Sequence, residues 1–153
     1  MPEVFQITPA SVKPLWFLGG ICLVLAAVLL VLAYTAYSAR HSRIEIHDDH
    51  LRIVGDLWGR SIPLGALDVD GAQSLDLAVR TEYAPSRRTL GTGLPGYASG
   101  WFRLRNGEKA LAYITDSKQI AYIPTSEGYA LLLSVPDPAR LIERLAAHRE
   151  RSP

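Results

Sequence analysis

From Pro14 to Ala39 the chain carries no charged residue, and the centre of this stretch reads LWFLGGICLVLAAVLLVLAYTAY, Leu15 to Tyr37. A helix over these roughly 23 residues would be about 35 Å long, against a hydrocarbon core of about 30 Å. It is therefore long enough to span a bilayer with some tilt. Trp16 and Phe17 stand at one end and Tyr34 and Tyr37 at the other, where interfacial aromatic rings belong. A buried core helix would need apolar partners all round, and a chain of 153 residues has too few left to supply them. A cleaved signal peptide is the rival reading, with Lys13 as its n-region charge and Ala36-x-Ser38 as its cleavage site. The run exceeds the about 7–15 apolar residues of such signals, which favours a retained single-pass anchor.

This reading divides the chain into a tail at residues 1–14, a transmembrane helix at 15–39 and a domain at 40–153, with the bilayer contacted through residues 15–37. Only Lys13 flanks the run on its N-terminal side, whereas Arg40, Arg43, Arg52 and Arg60 follow it. The positive-inside rule then expects a cell-membrane protein with a cytoplasmic C-terminal domain. The lone cysteine, Cys22, lies within the run and excludes an intramolecular disulfide or a Cys-rich zinc site. A net charge of +1, from 16 basic and 15 acidic residues, argues against a nucleic-acid partner.

Beyond residue 40 the pattern is of short strands with turn punctuation. RIEIHDDHLRIVG alternates Ile44, Ile46 and then Leu51, Ile53 around Asp48-Asp49, a hairpin signature. RSIPLGALDVD and AQSLDLAVR suggest two further strands. In GWFRLRNGEKALAYIT, Asn106-Gly107 predicts a two-residue turn with φ > 0 at both positions. That turn sets Leu104 opposite Lys109 and Phe102 opposite Leu111, so that Phe102, Leu104, Leu111 and Tyr113 share a face. Trp101, Arg103 and Arg105 take the other. QIAYIP and GYALLLSV follow, the second apolar on both faces and so central. In PDPARLIERLAAHRE, Asp137 suits an N-cap and Pro138 the first helical position. Leu141, Ile142 and Leu145 form its apolar stripe, with Arg140, Glu143 and Arg144 outside it. The expected fold is mainly β with one C-terminal α-helix: about seven antiparallel strands in a small barrel that the helix caps.

GRSIPL, GTGLPGY, GWFRLRNGEKAL, YIPT and GYALLLSVPDP, spread over Gly59 to Leu145, resemble the bacterial pleckstrin-homology-like domain family whose members carry an N-terminal membrane helix. The resemblance implies a PH-like barrel and a binding module rather than an enzyme.

Gly91-x-Gly93-x-x-Gly96 spells a dinucleotide-loop pattern, but such a loop follows a strand and opens a helix whose N-terminus meets the pyrophosphate. Here YASGWFRLR follows, an alternating strand, and Pro95 removes a backbone donor. The expectation is a covering loop over Gly91–Gly100 that binds no nucleotide. Its surroundings supply the candidate partner-binding residues: Arg87 and Arg88, adjacent basic residues flanking the glycines, with Tyr97 and Trp101 as aromatic neighbours.

His47-Asp48-Asp49-His50 has metal-ligand residue types, but a tight turn splays its side chains and no second cluster completes a site. His41 and His148 have neither a nucleophile nor an orienting acid at readable spacing. No catalytic, metal or cofactor residue is therefore assigned. Two classes of function stay open: a membrane-tethered binding or scaffold module, and an envelope enzyme with a site assembled from dispersed residues. Within the first, eukaryotic relatives that bind lipid head groups place several cations in the loop between their first two strands. Here that tip is HDDH, which repels phosphate and favours a protein partner over a head group.

Overall fold

The structure, a computed structural model, describes residues 11–151; most of the expected tail, residues 1–10, lies outside them. The chain divides into two compact units, Met1–Tyr37 and Ser38–Pro153. Helix α1 (Lys13–His41) runs through the apolar stretch and into the first residues of the second unit. Lys13–Ser38 is long and apolar enough to cross a membrane. From Lys13 to Tyr34 every side chain is exposed, among them Trp16, Phe17, Leu23 and Leu30. A helix apolar all round is stable in lipid or inside a large core, and uniformly exposed to water it is neither.

The second unit is mainly β. Strands β1 (Arg43–Ile46), β2 (His50–Val54) and β3 (Ser61–Pro63) make an antiparallel sheet in chain order. Six more strands follow: β4 (Gln73–Leu75), β5 (Pro85–Leu94), β6 (Tyr97–Leu104), β7 (Lys109–Ile114), β8 (Ile120–Pro124) and β9 (Ala130–Ser134). They form a second sheet in the order β4-β8-β9-β7-β6-β5. Helix α2 (Pro138–Arg151) ends the described chain.

Two expectations about this architecture need correction. The barrel is not closed: the described residues form nine strands in two sheets, and the β7–β9 pair is parallel. Residues 76–84 cross from β4 at one edge of the larger sheet to β5 at the other instead of pairing those edges. The crossing is held by backbone bonds from Leu77 to Ser117, and from Arg105 and Asn106 to Ala84 and Glu82. The segment Gly91–Gly100 is not a covering loop either. It is the end of the long strand β5, the Pro95-Gly96 turn and the start of β6, with Gly91 directly opposite Gly100. Proline followed by glycine suits the centre of a type II turn. Both paired glycines have positive φ, and a Cβ on Gly100 would lie 2.5 Å from the Leu90 carbonyl oxygen. Glycine here permits close backbone approach within a strand pair.

The centre of the larger sheet, β7, β8 and β9, is buried on both faces. Leu131 and Leu133 of β9 enter one cluster with Leu51, Ile62, Leu111 and Leu145, between the two sheets and α2. Ala130 and Leu132 enter a second with Leu75, Phe102, Leu104 and Ile120. The central, two-sided burial expected for GYALLLSV is observed. So is the apolar stripe of α2, with Leu145 fully buried and Leu141 and Ile142 packed beside it.

The β6–β7 hairpin forms where expected, but one residue out of register. Phe102 faces Ala110, Arg103 faces Lys109 and Trp101 faces Leu111. The turn takes three residues: Leu104 N–H donates to Glu108 O, Gly107 N–H to Leu104 O, and only Gly107 has positive φ, at 90°. A slip of one residue exchanges faces. Trp101, Leu111 and Tyr113 therefore belong to the first cluster, and Phe102 and Leu104 to the second.

Candidate functional site

The connection between β2 and β3 is organised by Asp56. Oδ1 accepts hydrogen bonds from the Trp58 N–H (2.9 Å) and the Tyr113 hydroxyl (2.7 Å), and Oδ2 accepts one from the Ser99 hydroxyl. Ser99 is fully buried and Tyr113 nearly so. A turn carboxylate thereby joins the small sheet to β6 and β7 of the large one. Burial pushes the Tyr113 phenol well above its ordinary range, and the bond to Asp56 and its charge add to the shift. Beside this connection, Ser38 Oγ donates to Gly55 O at 2.5 Å, and Ser42 Oγ donates to Ser38 O at 2.9 Å.

Next to Tyr113 lies a cavity of about 510 Å³, between β1 and the first turns of α2. Ile44 and Ile46 of β1 form one wall and Leu141 of α2 the other, over Ile53, Tyr113 and Val135. Arg43, Arg140 and Arg144 stand among its lining. Arg43 is engaged by Glu45 at 2.7 Å. Asp137, also in the lining, is occupied as the N-cap of α2 and accepts the Arg140 N–H at 3.0 Å. The volume and the mixture of apolar walls with a few charged groups are those of a ligand pocket.

The candidates named from the sequence are dispersed. Tyr97, at the start of β6, lines the cavity. Arg87 and Arg88 lie exposed on β5, opposite Arg103 and Phe102. Trp101 turns to the first cluster, where Tyr129 packs edge-on at 5.0 Å. Its ring is covered by the protein's own cations: the Lys109 ammonium lies 4.4 Å and the Arg60 guanidinium 5.2 Å from its centroid. Such stacking is worth about 0.5–1 kcal/mol at an exposed site and makes this indole a structural anchor for two charges. Burial raises the Tyr129 phenol; a bond from Arg60 offsets this in part, and Glu127 adds to it.

At the β1–β2 tip, the His47 and His50 rings stack at 4.6 Å, and His50 Nδ1 lies 2.5 Å from Asp49 Oδ1. That bond, first among several causes, lowers the Asp49 carboxyl below its ordinary range. Among the described residues no group of three or more His, Cys, Asp or Glu side chains converges as a metal site.

Sequence reasoning missed Asp56, because GDLWG reads locally as a turn and its hydroxyl partners are 43 and 57 positions away. It placed Arg140 and Arg144 correctly on the outer face of α2, but nothing in the pattern set that face beside β1.

A family model described as bacterial PH domain matches residues 42–149, which includes both sheets and nearly all of α2. No curated protein and no solved structure matches the chain.

Proposed function

The chain belongs to the bacterial PH domain family, and we propose that it is a membrane-anchored, non-catalytic binding module that holds a protein partner close to the bilayer. One observation carries this reading: a PH domain follows directly on a helix whose 26 residues from Lys13 to Ser38 are long and apolar enough to cross a membrane. The helix fixes the protein in the bilayer through residues 15–37, and the domain, on the side favoured by Arg40, Arg43, Arg52 and Arg60, does the recognising. The preference for protein over a lipid head group rests on the β1–β2 tip. Asp48 and Asp49 stand there, and the lowered Asp49 carboxyl keeps a negative charge where a phosphate would need cations.

The test is chemical crosslinking in intact membranes, with tagged full-length chain beside a control carrying residues 1–41 alone. A discrete protein should crosslink to the full chain and not to the control. Equal crosslinking to both, or native mass spectra in which the purified full chain keeps an anionic lipid and no protein, would overturn the reading.

A further inference from the structure

The hairpin of β1 and β2 fixes which backbone groups face outward. His47 N–H donates to His50 O, so these two form a hydrogen-bonded pair. In an antiparallel ladder such pairs recur at every second position. Glu45–Arg52 and Arg43–Val54 are then the other bonded pairs, with Ile44–Ile53 and Ile46–Leu51 between them. The N–H and C=O of Ile44 and Ile46 therefore point away from β2. β1 is the edge of its sheet, and among the described residues no strand pairs with that side.

The same two residues send their side chains into the cavity against α2. An open strand edge thus lies beside an apolar groove. The charge is one-sided as well. Arg140 and Arg144 are exposed, four residues apart on α2, and neither has an ion pair among the described residues. The one carboxylate in the cavity lining is Asp137, already bonded as the helix cap.

The β5 edge of the larger sheet differs. β5 carries register shifts between Pro85 and Arg87 and between Arg88 and Leu90. The Ser86 and Thr89 hydroxyls bond back to the Arg103 and Trp101 carbonyls. Bulges and exposed arginines protect an edge from strand addition. β1 is short and carries Arg43, but its register is unbroken and Arg43 is held by Glu45 of the same strand.

From these observations, and resting on the protein-binding reading above, we infer that the groove between β1 and α2 takes an extended segment of the partner as an added strand. The segment pairs its backbone with Ile44 and Ile46, places alternate apolar side chains in the cavity, and meets Arg140 and Arg144 with an acidic side chain. Strand addition draws affinity from main-chain bonds and specificity from pockets for alternate side chains. A lipid head group would satisfy the arginines and leave the strand edge unpaired. A groove beside a four-residue strand admits a segment of about four to six residues.

The experiment selects ten-residue peptides from a phage-displayed random library on full-length protein in nanodiscs of zwitterionic lipid. Enriched peptides should carry apolar residues two apart and at least one Asp or Glu. The synthetic top peptide should lose more than about tenfold in affinity when N-methylated at alternate positions, a change that removes its backbone donors and leaves the protein untouched. It should lose about as much against an Arg140→Glu/Arg144→Glu protein with unchanged melting, and nothing against Arg87→Ala/Arg88→Ala. No enriched sequence, enrichment without acids, indifference to N-methylation, or dependence on Arg87 and Arg88 overturns the inference. So does displacement of the peptide by phosphatidylglycerol added to the nanodisc. If the crosslinked partner persists on the Arg140→Glu/Arg144→Glu chain, this site is wrong and the protein-binding function stands. If the unaltered chain crosslinks no partner, the functional reading itself fails.

Discussion

Asp56 shows how far a single side chain reaches in this fold. Replacing it with alanine leaves the Ser99 and Tyr113 hydroxyls buried without their acceptor, at about 1–3 kcal/mol each. Asp56→Ala should therefore cost about 2 kcal/mol or more in denaturant unfolding of the detergent-solubilised chain, and a loss below about 0.5 kcal/mol would contradict the role assigned to it. The neighbouring phenol adds a pH signature. The Tyr113 pKa is raised in the folded state above the unfolded value of about 10. The folded state then holds that proton more tightly, so the contribution is complete below pH about 10 and is lost as pH rises further. Tyr122 shifts in the same direction, through burial and its bond to Glu108. Melting temperatures should fall above pH about 10, and Tyr113→Phe should flatten the fall. An identical alkaline slope in that variant would show that Tyr113 does not titrate with unfolding.

Local grammar carries far at the scale of single elements, and its failures have physical causes. Asp137 caps α2 as its residue type suggests, and Leu145 is buried as its spacing requires. Leu145→Ala should cost about 2–5 kcal/mol, as large-to-small core changes do, and a cost below about 0.5 kcal/mol would make the helix peripheral. β5 escaped a reading based on alternation because Gly91, Gly93 and Pro95 look like loop residues. What places Gly91 in a strand is the close approach of Gly100, known only once β6 pairs with it. Gly100→Ala should accordingly cost more than about 1 kcal/mol, seen as faster amide exchange in β5 and β6; unchanged exchange would refute the close-packing account. Asn106-Gly107 marked the right turn, but the choice between two and three loop residues depends on which face each strand buries. The β7–β9 pairing is non-local and leaves no periodic trace. The groove was illegible for the same reason: Ile44, Ile46, Arg140 and Arg144 were each placed on the right kind of element, while their meeting depends on which sheet edge α2 packs against.

At the scale of the whole molecule, the sequence is most explicit about the feature that governs where the domain works. With Lys13 alone before the apolar run and Arg40, Arg43, Arg52 and Arg60 after it, the domain is expected in the cytoplasm. A C-terminal alkaline phosphatase fusion should be inactive and a fluorescent-protein fusion bright; the opposite pattern would reverse the topology and move the partner to the other side of the membrane. The account as a whole rests on α1 being retained as an anchor and not removed as a signal. The most direct measurement is the intact mass of the protein in carbonate-washed membranes. The account predicts a chain that stays in the membrane pellet and still includes residues 15–39. Recovery in the supernatant, or a mature chain beginning near residue 39, would contradict it.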